Sequence, residues 1–221
     1  MAKNMPLSIK RDGFSKDLAR FLLNVVTDSL KAVSPALWGG SVAFLRRSDA
    51  IGSIASYDSK KDLLKIFRRS SDNRVIDERH LVWTFTHELA HRVWDRLSDE
   101  KQDKFFDFVK TGCKPLDDKL VDLFVKQYDS EESIIPKSQK SLYSSFQFAF
   151  LTSPEKTFRK FLKDKCINPL LPSDYAQTSP FEAFAEIFAM AFVPKFRPKG
   201  YRYSAAAVKF VKSLLKEGKT K

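Results

Sequence analysis

The stretch FTHELAHRVW, residues 85–94, lies at the centre of the predicted fold. His87 and His91 stand four residues apart, so on an α-helix their side chains project from one face, one turn apart. The neighbouring residues are apolar at helical spacing, which predicts a buried helix over residues 75–97. Two imidazoles on one face of such a helix, with Glu88 between them in sequence, are typical of a metal site.

The pattern H-E-x-x-H gives each residue type a separate role. Zinc binds histidine nitrogen at about 2.0–2.1 Å, and a glutamate offset by one residue can instead accept a proton from a water on the ion. The alternative, two surface histidines that flank an ordinary glutamate, is disfavoured because His87, Glu88 and His91 stand among apolar residues. His80 lies two turns earlier on the same face. It is too far along the helix axis to bind the same ion. We therefore expect His80 either at the surface or in contact with a ligand residue and not with the ion.

The chain lacks the third histidine that many such sites use, because Trp94 and Leu97 occupy those positions. A catalytic zinc ion needs three protein ligands, so an acid on a second helix is required. Glu182 and Glu186, four residues apart in an apolar segment, are the candidates, one as ligand and the other as hydrogen-bond partner of a ligand histidine. Glu182 also completes a capping box that starts at Ser179, and the two roles are compatible because a first-turn glutamate stays ionised.

The segment YAQTSPFEAFAE, residues 175–186, together with HELAH, resembles the gluzincin metallopeptidases of the anthrax lethal factor catalytic-domain type. That family combines H-E-x-x-H with a tyrosine seven residues before the first glutamate of E-x-x-A-E. Here Tyr175 stands seven residues before Glu182. The match covers a small part of the chain. Glu182 follows His91 by 91 residues (182 minus 91), and this long interval departs from the family pattern.

The resemblance implies a site with one Zn²⁺ ion. Its ligands would be His87, His91 and Glu182, with Glu88 as the general base. The resemblance further implies that Glu186 contacts a ligand residue and not the ion. It also implies that the Tyr175 hydroxyl stabilises the tetrahedral intermediate, a role that suits a phenol because it can donate a hydrogen bond to an oxyanion without ionising.

The function expected from these residues is zinc-dependent endopeptidase activity on a protein or peptide substrate, and the basic charge of the chain favours an acidic one. A non-catalytic zincin-like binding module is a second hypothesis, but such a module would normally have lost Glu88 or a ligand. A third hypothesis is a nucleic-acid-associated protease, prompted by 39 Lys+Arg against 27 Asp+Glu and a net charge of +12. No nucleic-acid-binding motif supports it.

The predicted fold class is α+β and mostly helical, and the resemblance implies a zincin-like arrangement with a small mixed sheet before the active-site helix and a helical C-terminal part. SVAFLR, AIGSIASY and DLLKIF are predicted strands, and either of the last two can be the edge strand that pairs with an extended peptide. Predicted helices lie in residues 14–33, twice in 98–129, after Ser153-Pro154-Glu155, and from about Ser204 to Lys216.

We expect one domain over residues 1–221. It divides into residues 1–97 with the sheet and the active-site helix, a helical insertion over 98–174, and residues 175–221 with the glutamate helix and the C-terminal helix. Cys113 and Cys166 have no framework spacing and are predicted to be reduced thiols. No apolar segment predicts a signal peptide or a transmembrane span, so an intracellular, cytoplasmic location is expected.

Overall fold

The computed structural model describes residues 7–48 and 54–216, and its fold is α+β and mostly helical, as predicted. The strands are β1 (Leu7–Arg11), β2 (Gly40–Arg47), β3 (Ala55–Asp58), β4 (Leu63–Arg69), β5 (Lys114–Pro115) and β6 (Cys166–Ile167). The α-helices are α1 (Lys16–Ser29), α2 (Pro35–Trp38), α3 (Glu78–Asp95), α4 (Asp99–Lys110), α5 (Asp118–Tyr128), α6 (Lys140–Leu151), α7 (Phe158–Lys163), α8 (Pro180–Phe192) and α9 (Ala205–Lys216).

Within the described residues, a four-stranded mixed sheet has the order β1-β2-β4-β3. β1, β2 and β4 run parallel, and β3 pairs with β4 in the antiparallel direction. β3 is therefore an edge strand, whereas β4 is internal. Of the two predicted candidates for the edge strand, AIGSIASY supplies it through its last residues, and DLLKIF does not. Residues 50–53 of that predicted strand lie outside the described residues, and β1 was not predicted.

The helices mostly begin at side-chain caps. Ser15 accepts a hydrogen bond from the Leu18 N–H at the start of α1, and Asp77 accepts one from the His80 N–H at the start of α3. For the helix predicted after Ser153-Pro154-Glu155, the predicted starting point is wrong. α7 begins only at Phe158, where Thr157 provides the cap, while Ser153 Oγ accepts from the Glu155 N–H in a turn.

The buried apolar side chains of the described residues form two hydrophobic cores. The main core joins the sheet with α1, α3, α8 and α9, and it contains Trp94, which is 2% exposed, and Leu97. Trp94 is thus a core residue on α3, the helix that carries His87 and His91. The second core lies within residues 116–162 and joins α5, α6 and α7. Phe105 of α4 belongs to the main core, so the segment over residues 98–174 contributes side chains to both cores.

The two cysteines form a disulfide, so the prediction of reduced thiols is wrong. Cys113 follows α4 and Cys166 begins β6, and antiparallel pairing of β5 with β6 brings their Cα atoms to 5.6 Å. The sequence did not indicate this pairing because the two residues are 53 positions apart and meet only after α5–α7 have folded back. Among the described helices, none combines the length and the apolar character needed to cross a bilayer.

Candidate metal centre

The site forms where α3 packs against α8. Both helices are strongly buried over their central turns, because α3 carries apolar residues on nearly all sides and α8 is apolar along most of its length. Ala185 and Ala189 of α8 are fully buried, and small side chains there let the two helices approach closely. The only polar groups of α8 at this contact are the two glutamates, so the packing places carboxylates opposite the histidines of α3.

Glu182 lies between the two histidines. Its Oε2 atom is 3.0 Å from His87 Nε2 and 3.5 Å from His91 Nε2. Donor atoms of His87, Glu88 and His91 also lie within 4.8 Å of one another, and this group can hold a metal ion. The structure thus brings together the residues predicted as metal ligands from two segments that are 91 residues apart.

No protein-family model, curated protein or solved structure matches the chain.

The capping role predicted for the start of α8 is present as well. Ser179 Oγ accepts a hydrogen bond from the Glu182 N–H at 3.2 Å, and Pro180 occupies the first helical position. The Glu182 side chain points to His87 and His91 instead of back to the Ser179 N–H. Ser179 therefore caps α8 while the Glu182 carboxylate contacts both histidines, and the role of Glu182 as a metal ligand stays a prediction.

The His87–Glu182 contact governs the charge of both groups. Burial alone lowers the pKa of His87, but the hydrogen bond with Glu182 and the negative charges of Glu88, Glu182 and Glu186 raise it to about 9. Burial acts to raise the pKa of Glu182, yet its hydrogen bonds with His87 and His91 hold that pKa well below its usual range. The contact therefore favours the protonated form of His87 and the ionised form of Glu182.

Glu88 is partly buried beside these groups. Burial raises the pKa of its carboxyl group, and the nearby histidines and a hydrogen bond from the Tyr57 backbone act in the opposite direction. Tyr57 lies in the edge strand β3. The edge of the sheet therefore borders the site and orients the carboxylate that the sequence predicts as the general base.

Tyr175 lies in a 3₁₀ turn just before α8, and its ring centroid is 6.2 Å from that of His87. Burial, followed by the negative charge of Glu182 and a hydrogen bond with it, raises the pKa of the phenol far above its usual range. Tyr175 therefore stays protonated at all physiological pH values. It also lines a cavity of about 330 Å³ with His87 and Glu88.

Glu186 is 1% exposed and lies one turn beyond Glu182. It accepts hydrogen bonds from Ser173 Oγ and from the Tyr201 side chain, and burial raises its pKa to about 7. Its negative charge acts on His87, but the predicted hydrogen bond to the far nitrogen of a ligand histidine stays a prediction. Ser173 and Tyr201 were missed, because both lie in loops where no fixed spacing indicates their position.

His80 is exposed in the first turn of α3 and lines the same cavity. Among the described residues it does not belong to the group of possible metal donors. This position agrees with the prediction that His80 lies at the surface, outside the ligand set.

Arg92, which follows His91 directly, fixes α3 against the sheet. Its guanidinium group is fully buried and donates to the carbonyl oxygens of Trp38, Ser41 and Asp62. It also pairs with the Asp62 carboxylate, which lies just before β4. These contacts join α3 to α2, to β2 and to the residue before β4, and no sequence pattern predicted them.

Proposed function

We propose that the protein is a zinc-dependent endopeptidase in which His87, His91 and Glu182 bind one zinc ion. The observation that supports this most strongly is the position of Glu182 Oε2, which lies close to the Nε2 atoms of both histidines. A carboxylate so placed supplies the third ligand that the H-E-x-x-H pattern alone does not have.

The spacing of the donor atoms fits zinc. Ligand atoms about 2.0–2.1 Å from a tetrahedral ion lie about 3.3 Å from one another. The two distances from Glu182 Oε2, 3.0 and 3.5 Å, are on either side of that value. Two imidazoles and one carboxylate are also a donor set typical of catalytic zinc, with a fourth position left for water.

Glu182 is a better third ligand than Glu88. Donor atoms of Glu88 and the two histidines lie within 4.8 Å of one another, whereas Glu182 Oε2 lies as close as 3.0 and 3.5 Å to the two histidine Nε2 atoms. Burial raises the pKa of Glu88 and holds its proton affinity above that of an exposed glutamate, as a general base requires, while the pKa of Glu182 is held low, as a metal ligand requires.

The chain's own residues then provide the steps of peptide hydrolysis. The ion, when bound, would polarise the substrate carbonyl and acidify the attacking water. Glu88 accepts the proton of that water and passes it to the leaving amine. Tyr175 keeps its phenolic proton and can donate it in a hydrogen bond to the developing oxyanion.

The edge strand β3 provides a place for an extended peptide. Ile54 and Ala55 line the same cavity as His87 and Glu88, so the edge of the sheet and the candidate catalytic residues face one space. A peptide that adds to this edge by main-chain hydrogen bonds would run past the site.

Peptide hydrolysis by the wild-type protein and by Glu88→Gln tests the proposal. Glu88→Gln is expected to keep its zinc and to lose hydrolysis by at least about 100-fold, since general-base catalysis typically contributes that much. The matched control is Glu78→Gln, because Glu78 is an exposed glutamate in the first turn of the same helix. Full activity in Glu88→Gln, or wild-type protein that binds no zinc and ignores chelators, would refute the proposal.

A further inference from the structure

A second cavity, of about 240 Å³, adjoins the proposed zinc site. Tyr175 lines both this cavity and the larger one that contains His87 and Glu88, and Glu182 forms part of its wall. The remaining walls come from α6 and α7 of the second core and from the residues just before α8. A substrate side chain next to the cleaved bond would therefore have this cavity within reach.

Lys165 contributes a positive charge to this cavity. Its Nζ atom donates to the Thr178 carbonyl oxygen at 3.0 Å and lies 4.5 Å from the centre of the Phe161 ring. These contacts hold the ammonium group in place but use only one of its three N–H donors through a hydrogen bond. The other lining side chains near it are aromatic or neutral and polar, such as Phe148, Thr152 and Ser153.

Lys165 has no salt-bridge partner among residues 7–48 and 54–216. Burial lowers the pKa of its ammonium group, and the opposing charge is that of the preceding residue, Asp164, which is exposed. Glu182, the carboxylate that lines the same cavity, is engaged by His87 and His91. A partly desolvated cation that faces a cavity without its own counter-ion is suited to bind an anionic group from a ligand.

We infer that this cavity receives an acidic side chain of the substrate, next to the cleaved bond, and that Lys165 binds its carboxylate. The inference rests on the proposed peptidase function and adds the substrate class: peptides with aspartate or glutamate beside the scissile bond. Phe161 and Phe148 would pack against the methylene groups of that side chain, and the ammonium group would donate to its carboxylate oxygens.

The experiment begins with cleavage of an N-acetylated random peptide library by the zinc-loaded wild-type protein, and mass spectrometry identifies the residues beside the cut bonds. Matched peptides with Glu, Gln or Lys at the preferred position then give ratios of kcat/KM. We expect the wild-type protein to prefer Glu over Gln by at least about 10-fold, because a hydrogen bond between charged groups typically contributes that much.

Two substitutions and one control assign the preference. Lys165→Gln should reduce the Glu/Gln ratio to near one, and Lys165→Glu should favour the Lys peptide over the Glu peptide. Lys163→Gln is the control, since Lys163 is an exposed lysine at the end of α7 and should keep the wild-type ratio. Each ratio compares two peptides on one preparation, so a partly unfolded variant still gives a valid result.

The possible failures are distinguishable. If the wild-type protein cleaves peptides but treats Glu and Gln alike, or if Lys165→Gln keeps the preference, the inference is wrong while the peptidase function stands. If the wild-type protein binds zinc but cleaves no library peptide, the proposed function fails and the inference fails with it.

Discussion

Removal of the Cys113–Cys166 disulfide is expected to destabilise the second core much more than the main core. The bond closes a loop with a sequence separation of 53, and that loop contains α5, α6 and α7. Loop-closure entropy for this length gives a stabilisation of about 4 kcal/mol. With a urea dependence of about 2 kcal/mol per M, the double variant C113A/C166A should unfold in the second core at a urea concentration lower by roughly 2 M.

Two probes separate the cores. Trp38, Trp83 and Trp94 all belong to the main core, so tryptophan fluorescence reports its unfolding. Hydrogen exchange of residues 116–162, followed by mass spectrometry in urea, reports the second core. The wild-type protein under a reductant should behave as C113A/C166A does. Coincident transitions by both probes, or an unchanged midpoint for residues 116–162, would refute the view that the disulfide stabilises a separate core.

Three further predictions concern the site and its support. Glu182→Gln should weaken zinc binding, measured by competition with a chelating dye, by more than the roughly 10–100-fold that loss of a residue behind a ligand costs. Burial raises the pKa of Glu186 from 4.5 to about 7, so the native protein binds this proton more tightly than the unfolded chain does. The resulting contribution to the stability of the metal-free protein is fully present below pH 4.5. That contribution, roughly 3 kcal/mol, is lost as the pH rises through 7, so thermal unfolding of Glu186→Gln should depend less on pH than that of the wild type. Arg92→Met should cost about 3–5 kcal/mol in urea unfolding, because it leaves buried carbonyl groups and Asp62 without their partner, whereas Arg20→Met on the surface should cost at most about 0.5 kcal/mol.

Each of these predictions has an outcome that would contradict it. Equal zinc affinity in Glu182→Gln would remove that residue from the ligand set. Parallel curves of melting temperature against pH for the wild type and Glu186→Gln would mean that Glu186 titrates like an exposed glutamate. A stability loss in Arg92→Met no greater than in Arg20→Met would show that the guanidinium group does not hold α3 to the sheet.

The parts of the fold that follow local patterns were predictable from the sequence. Apolar spacing predicted α1, α3, α8 and α9, and also the two helices within residues 98–129, where α4 and α5 lie. β1 was missed because its stability comes from parallel pairing with β2, across the whole of α1, and not from its own alternation. The disulfide was missed for the same physical reason, since its partners meet only through long-range folding.

The candidate site was predictable where fixed spacing reflects helical geometry. His87 and His91, four residues apart, share a face, and the capping box located Glu182 at the start of α8. Ser173, Tyr201 and Lys165 reach the site or its neighbouring cavity from loops. Because all three lie outside the helices and strands, no periodicity in the sequence indicates them.

X-ray absorption at the zinc edge of the zinc-loaded protein tests the central claim most directly, because it reports the ligands themselves. The proposed site predicts one zinc per chain, four-coordinate, with two imidazole nitrogens and carboxylate or water oxygens at about 2.0–2.2 Å. In Glu182→Gln the spectrum should change while both imidazole contributions remain. A zinc environment without two imidazoles, or one that Glu182→Gln leaves unchanged, would contradict the proposal that His87, His91 and Glu182 form a metal centre.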